Sequence, residues 1–214
     1  RGLEVYQDEL RNVIIIKEAT KGYEDREPII LQGHMDMVCE KEEGVDMDMA
    51  REGLDLEVVD GYLKAKGTTL GGDDGIALAY SLAILDSDTI SHPRLECIFT
   101  SSEEVGMDGA KGLDTSVLRG RKLINIDSEE EGVLIAGCAG GGRICVNMKI
   151  ARQDCKYNHV LIKMSGLLGG HSGSDINLGR ASSYTLLVRL ITKIYEKMDI
   201  RLVSIETGKL INVI

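Results

Sequence analysis

An α/β fold is predicted, with a mostly parallel sheet flanked by helices and followed by part of a smaller α+β unit. The prediction rests on short apolar runs alternating with helical periodicity over the first two-thirds of the chain, and on an abrupt change of texture at a run of glycines. Residues 13–17 and 28–32 read as short strands. Ile76, Ala79, Leu82, Ala83 and Ile84 repeat at helical spacing and predict a helix over 76–85. Residues 95–100 and 122–126 read as two further buried strands. Strand, helix, strand in this order is how a parallel layer is built.

At Cys138-Ala139-Gly140-Gly141-Gly142 three glycines follow one another, which no regular element accommodates cheaply, so a loop or hinge is expected there. Neither glycine-rich phosphate-binding motif surrounds it. Two domains are therefore expected, 1–140 and 141–214. In the second, Ile144, Val146, Met148 and Ile150 alternate with polar residues as in a half-buried strand. Residues 159–164 and 201–205 predict two more strands. Residues 182–198 predict an amphipathic helix with Leu186, Leu187, Leu190, Ile191, Ile194 and Met198 on one face.

Composition narrows the function classes. Of 214 residues 43% are hydrophobic, enough for a packed core, but only 4% are aromatic, so the core is aliphatic. Few aromatics and a formal net charge of −10 argue against a nucleic-acid partner. There is no secretory signal and no 18-residue apolar span, so no membrane is expected and a reducing cytoplasm is the simplest compartment. Five cysteines form no paired motif, and Cys97, inside an apolar run, reads as a buried thiol.

Four segments read as one construction, an apolar strand running straight into histidine or acidic residues: Gly33-His34-Met35-Asp36, Gly71-Gly72-Asp73-Asp74-Gly75, Ser102-Glu103-Glu104 and Asn125-Ile126-Asp127. In open α/β sheets such ends converge on one crevice. Carboxylates gathered there raise one another's pKa, and a divalent cation removes that repulsion. One imidazole with several carboxylates suits zinc, and manganese or cobalt can substitute. Singly, each segment has an ordinary explanation: a surface hydrogen bond, a helix cap or an exposed acidic pair. Four together do not. His34 and Asp36, two apart on an extended segment, face the same way, so Asp36 is expected to orient the imidazole. Glu103 and Glu104 are adjacent and point differently, so one can bind metal while the other takes a proton.

These segments, with Glu103-Glu104-Val105-Gly106-Met107-Asp108-Gly109-Ala110 and Asn125 to Gly132, closely resemble the Xaa-His (aminoacylhistidine) dipeptidases, of the di-zinc group that includes carboxypeptidase G, aminoacylase and succinyl-diaminopimelate desuccinylase. The resemblance runs along nearly the whole chain. It implies a two-zinc peptidase whose small peptide substrate is cut by an activated water. By that resemblance Asp73 bridges the metals, His34 and Asp127 hold one, Glu104 holds the other, Glu103 is the general base and Asp36 stands behind His34. Asp74 is not expected to be a ligand. Residues 1–140 correspond to the N-terminal part of the catalytic domain and 141–214 to part of the lid. Within Gly169-Gly170-His171-Ser172-Gly173, His171 resembles a lid histidine that reaches the substrate carbonyl, supplied across a homodimer in dimeric relatives. The resemblance implies one more histidine ligand. His92, before Pro93, and His159, in a lid strand, do not fit, and that ligand is expected beyond Ile214. An N-acyl amino-acid deacylase of the same fold and a non-catalytic metal- or partner-binding relative are the alternatives.

Overall fold

The structure is a computed structural model describing the chain except residues 129, 139, 141–143, 155, 157, 171–174 and 208–214. It divides into two units, Arg1–Gly140 and Gly141–Ile214.

In the first unit, strands β1 (Glu4–Gln7), β2 (Val13–Lys17) and β3 (Ile29–His34) precede a separate hairpin of β4 (Leu56–Val59) and β5 (Tyr62–Ala65). Helix α1 (Gly72–Asp86), strand β6 (Leu95–Thr100), the short helix α2 (Asp108–Gly112) and strand β7 (Lys122–Asn125) follow. The main sheet runs β1-β2-β6-β3-β7. β6 is parallel to β3, and β3 to β7, whereas β1–β2 and β2–β6 are antiparallel. The α/β class holds. The sheet is mixed, with its parallel half formed by the three strands that the sequence marks for the site.

All six residues of β6 are buried, as the central strand requires. Alternate side chains go to opposite faces. Leu31, Cys97 and Phe99 pack with Leu85 of α1, while Ile14, Ile16, Ile30 and Ile98 pack under Leu113, Val117 and Leu118. Burying each such aliphatic side chain contributes roughly 1.5–3 kcal/mol. Cys97 is wholly buried, and burial pushes its thiol up to about 11, as an inert core thiol requires.

One polar residue in this core is structural. Glu96, with no exposed surface, accepts from Arg94 Nε at 2.9 Å and from the amides of Arg119 and Gly120 at 3.0 and 2.9 Å. Burial pushes its pKa up, but Arg94 and the two amides outweigh burial and hold it below the ordinary value of 4.5. The loop leading into β7 is thereby fastened to β6. In Glu96→Gln the new amide group faces a backbone N–H whichever way it turns, so urea unfolding should show a loss of about 1.5–3 kcal/mol. Because the folded pKa is depressed, this stabilisation is present above pH 4.5 and fades as the pH falls through the folded value. The gap between wild type and variant should narrow in acid.

In the second unit, α3 (Ser183–Tyr195) lies within the expected helix, and Ser182 caps it by accepting from the Thr185 amide. Arg180 Nη1 donates to the Gly169 carbonyl and to Asp175 Oδ2, at 2.7 and 2.9 Å. The strands expected over 144–150, 159–164 and 201–205 are not formed among the described residues. Ile144, Val146 and Met148 are exposed. Alternation makes a strand only where a neighbour offers a ladder and a surface to cover, and no such neighbour occurs among the unit's described residues. Among the described residues no helix is long and apolar enough to cross a membrane.

Candidate metal centre

The three parallel strands end on the same side. β3 terminates at His34 itself, and the Met35 amide continues the ladder to the Thr100 carbonyl at 2.8 Å. β6 runs through Ser101 and Ser102 into the turn that carries Glu103 and Glu104. β7 ends two residues before Asp127, with the Ile126 amide still bonded to the Gln32 carbonyl. Asp73 arrives differently from the expectation of a strand end. It lies at the start of α1, where Gly71 is left-handed (φ 74°) and Asp73 and Asp74 depart from helical geometry, joined by a cis peptide bond.

Gly33 lets α1 approach this closely. A Cβ there would lie 2.4 Å from the Ala77 Cβ and 2.6 Å from Asp74 Oδ2. Asp74, buried behind the site, accepts from the His34 amide at 3.2 Å. Its pKa is raised, burial outweighing the amides of His34 and Ala77.

The imidazole of His34 is buried and held at both nitrogens. Nδ1 lies 2.8 Å from the carbonyl oxygen of Asp36, which can only accept, so Nδ1 carries a hydrogen. Nε2 faces Asp73 Oδ1 at 2.8 Å. In the neutral ring Nε2 is thus the nitrogen offered to a cation. The Asp36 carboxylate was expected to orient this ring, but it stands 3.6 Å from Nδ1, beyond hydrogen bonding. Its oxygens instead accept from the amides of Glu103 and Glu104, at 3.0 and 3.1 Å. Asp36 therefore holds the ring through its backbone and the carboxylate turn through its side chain.

Ligand atoms of His34, Asp73 and Glu104 lie within 4.8 Å of one another, as do those of His34, Asp74 and Asp127. The second group includes Asp74, which the sequence reading set aside. A cavity of about 190 Å³ beside Asp73 and Asp127 is lined also by Gly72, Ile126 and Ser128. Electrostatics show what the gathering costs without a cation. Burial, then Asp73 by charge and by a shared hydrogen bond, pushes Asp127 up to about 7. Burial, Asp73 and Glu103 raise Glu104. For His34, burial is the largest influence and lowers the pKa, but Asp73, the Asp36 carbonyl and Asp127 together outweigh it and raise it. One imidazole among carboxylates, of which Asp127 and Glu104 are raised by burial and neighbouring charge, is a donor set that fits a divalent cation.

The profile of peptidase family M20/M25/M40 matches residues 30–139, just over half of the 214-residue chain. The chain belongs to this family. Along its whole length it is 40% identical to the cytosol non-specific dipeptidase of Escherichia coli K12, covering 44% of that protein. It is also similar to the crystal structure of an aminoacylhistidine dipeptidase from Vibrio alginolyticus, with a TM-score of 0.65 and 36% identity over 99% of this chain and 44% of that one. An uncharacterised Bacillus subtilis protein, YqjE, is 34% identical over 51% of the chain and 28% of its own length. The chain thus spans less than half the length of these relatives.

His171 lies outside the described residues. Two buried residues in contact with the elements that carry this centre were not singled out from the sequence. Gly33 carries a readable signal, a glycine inside an apolar strand beside a candidate ligand, which marks close backbone approach. Asn12, wholly buried, carries none.

Proton competition at the centre is measurable. A divalent cation held by Asp127 would displace the proton that this carboxyl holds up to about 7, so apparent divalent-cation affinity should climb as pH rises from 6 to 8. Calorimetry in buffers of different ionisation enthalpy should show proton release that is larger at the lower pH. An affinity flat across that interval would contradict the assignment of Asp127.

Proposed function

We propose that the full-length protein is a cytoplasmic two-zinc dipeptidase, in which Asp73 would serve both ions, His34 and Asp127 one of them and Glu104 the other. The observation that carries the proposal is the convergence of His34, Asp73, Glu104 and Asp127 at the ends of three parallel strands and one helix, with a spare carboxylate, Glu103, on the same turn. The dipeptidase names of the E. coli and Vibrio relatives support the substrate class.

When bound, the cations supply Lewis acidity toward the scissile carbonyl and make a water acidic enough to be deprotonated near neutral pH. The remaining work falls to the chain. His34 offers Nε2 because the Asp36 carbonyl fixes the hydrogen on Nδ1. Asp36 holds the amides of Glu103 and Glu104, so base and ligand keep one spacing. Glu103 takes the proton of the attacking water and returns it to the departing amine. Residues 1–140 carry this centre. Residues 141–214 are assigned the lid, with His171 directed to the substrate carbonyl on resemblance alone, and a homodimer through the lid goes with that assignment.

The test is a substrate panel on the full-length protein before and after chelation. Xaa-His and other dipeptides should be hydrolysed, N-acyl amino acids should not, and activity should vanish with chelator and return with zinc. Faster turnover of N-acyl amino acids would move the protein to the deacylases. Turnover indifferent to chelation would sink the metal mechanism.

A further inference from the structure

The turn that carries Glu103 and Glu104 is held from a second side, away from the metal-ligand groups. It leaves β6 at Ser101 and joins α2 at Asp108–Gly109, and Ser102 and Met107 within it are both left-handed, at φ 59° and 63°. Non-glycine residues adopt that conformation only where their surroundings enforce it. Asn12, in the β1–β2 connection next to β2, bonds the residues on either side of this turn. It is 1% exposed, and its side chain spans the two feet of the turn. Nδ2 donates to the Gly109 carbonyl at 2.9 Å, and Oδ1 accepts from the Ser101 amide at 3.1 Å.

Asn12 is itself fixed by Asp8, whose carboxylate accepts from the Asn12 amide at 2.8 Å and from Nδ2 at 2.7 Å. Both Nδ2 hydrogens are therefore used, and the amide cannot flip without opposing donor to donor. The packing is as close as the bonding. A Cβ on Gly109 would lie 2.2 Å from the Ser101 carbonyl oxygen and 2.6 Å from Asn12 Oδ1. The Ser101 hydroxyl donates to the Leu10 carbonyl at 2.6 Å, tying the same foot to the same hairpin.

We propose that Asn12 is a positioning residue for the general base and its neighbouring ligand. By joining Ser101 to Gly109 it closes the turn from outside while Asp36 holds the Glu103 and Glu104 amides from inside, and the two together set where both carboxylates stand. This rests on the dipeptidase proposal, since it assigns Asn12 to the geometry of that centre.

The test uses the full-length protein with Asn12→Ala and Asn12→Asp. The aspartate keeps an acceptor for the Ser101 amide but sets a carboxylate against the Gly109 carbonyl and Asp8. With kcat expressed per bound metal, both variants should fall by about tenfold or more with KM held, because small misplacements of reacting groups act on the chemical step. In the metal-free protein, exchange of the Glu103 and Glu104 amides should quicken relative to β6. Should Asn12→Ala fail to fold, Asn12→Ser, which retains one hydrogen-bonding group, takes its place. An unchanged kcat per metal, or a loss carried by KM, overturns the proposal whatever happens to the melting temperature. If the wild type cleaves no dipeptide, the functional reading fails by itself. Amide exchange then decides: faster exchange at Glu103 and Glu104 supports the clamp, and unchanged exchange removes it.

Discussion

Glu103→Gln should lower kcat of the full-length protein by roughly 10²- to 10⁴-fold, the range for losing a positioned general base. The substitution keeps the length and polarity of the side chain and removes its negative charge, and with it the capacity to take up a proton. The turn should survive it, because what Asp36 binds at this position is the backbone amide at 3.0 Å, which glutamine also has. Metal content should survive as well. Glu104, His34, Asp73 and Asp127 are untouched, and one source of charge repulsion on Glu104 disappears. Steady-state kinetics with metal analysis separates the outcomes. A large loss of kcat with full metal content assigns Glu103 to proton transfer. Loss of metal would make it a ligand, and near wild-type turnover would leave the base to another group.

What was legible in the sequence divides along a physical line. β2, β3 and β6 announce themselves because their side chains face a core with the matching period, and α3 because its apolar residues share one face. α1 forms where expected but on another face: Ala77, Ser81 and Leu85 are buried, whereas Ile76, Ala79, Leu82 and Ala83 are exposed. β7 also forms, but the burial expected of it fails, since all four of its residues are exposed. β1 does not, since all four of its residues are exposed and only its ladder to β2 defines it. The β4–β5 hairpin left a signal that went unused. Asp60 and Gly61 between its strands both take positive φ, 54° and 82°, and an Asp-Gly pair is a strong hairpin marker. The expected strands of the second unit failed for the converse reason. Alternation states a preference for a face and cannot supply the neighbour that makes the face worth burying.

The site was legible to the same degree and for the same reason. Residue types that bind cations, placed where strands end, can be seen in one dimension. Which atom does what cannot. Asp36 holds the imidazole through its carbonyl and the carboxylate turn through its side chain, a division that two-residue spacing does not predict. Asn12 is 89 residues from Ser101 and 97 from Gly109, so its role exists only once β2 lies beside β6.

Gly33→Ala tests how far the centre depends on packing and not on ligands alone. The added Cβ would meet the Ala77 Cβ at 2.4 Å and Asp74 Oδ2 at 2.6 Å. Neither can yield by swinging aside: the first is fixed to the α1 backbone, and the second accepts from the His34 amide at 3.2 Å. The start of α1 must therefore lift from β3. Asp73 moves with it, opening the 2.8 Å approach to His34 Nε2. Overpacking of this kind costs about 1–3 kcal/mol of stability, and displacing a ligand's support should weaken zinc binding by roughly 10- to 100-fold. The partner change Ala77→Gly removes the atom that the new methyl strikes. On its own it should destabilise α1 by about 1 kcal/mol through helix propensity. In combination with Gly33→Ala it should recover part of both losses, giving a coupling of about 0.5–3 kcal/mol between the two positions. Strict additivity would mean that α1 does not bear on Gly33 as described. Recovered stability without recovered zinc affinity would place the decisive contact at Asp74, which the double variant leaves crowded.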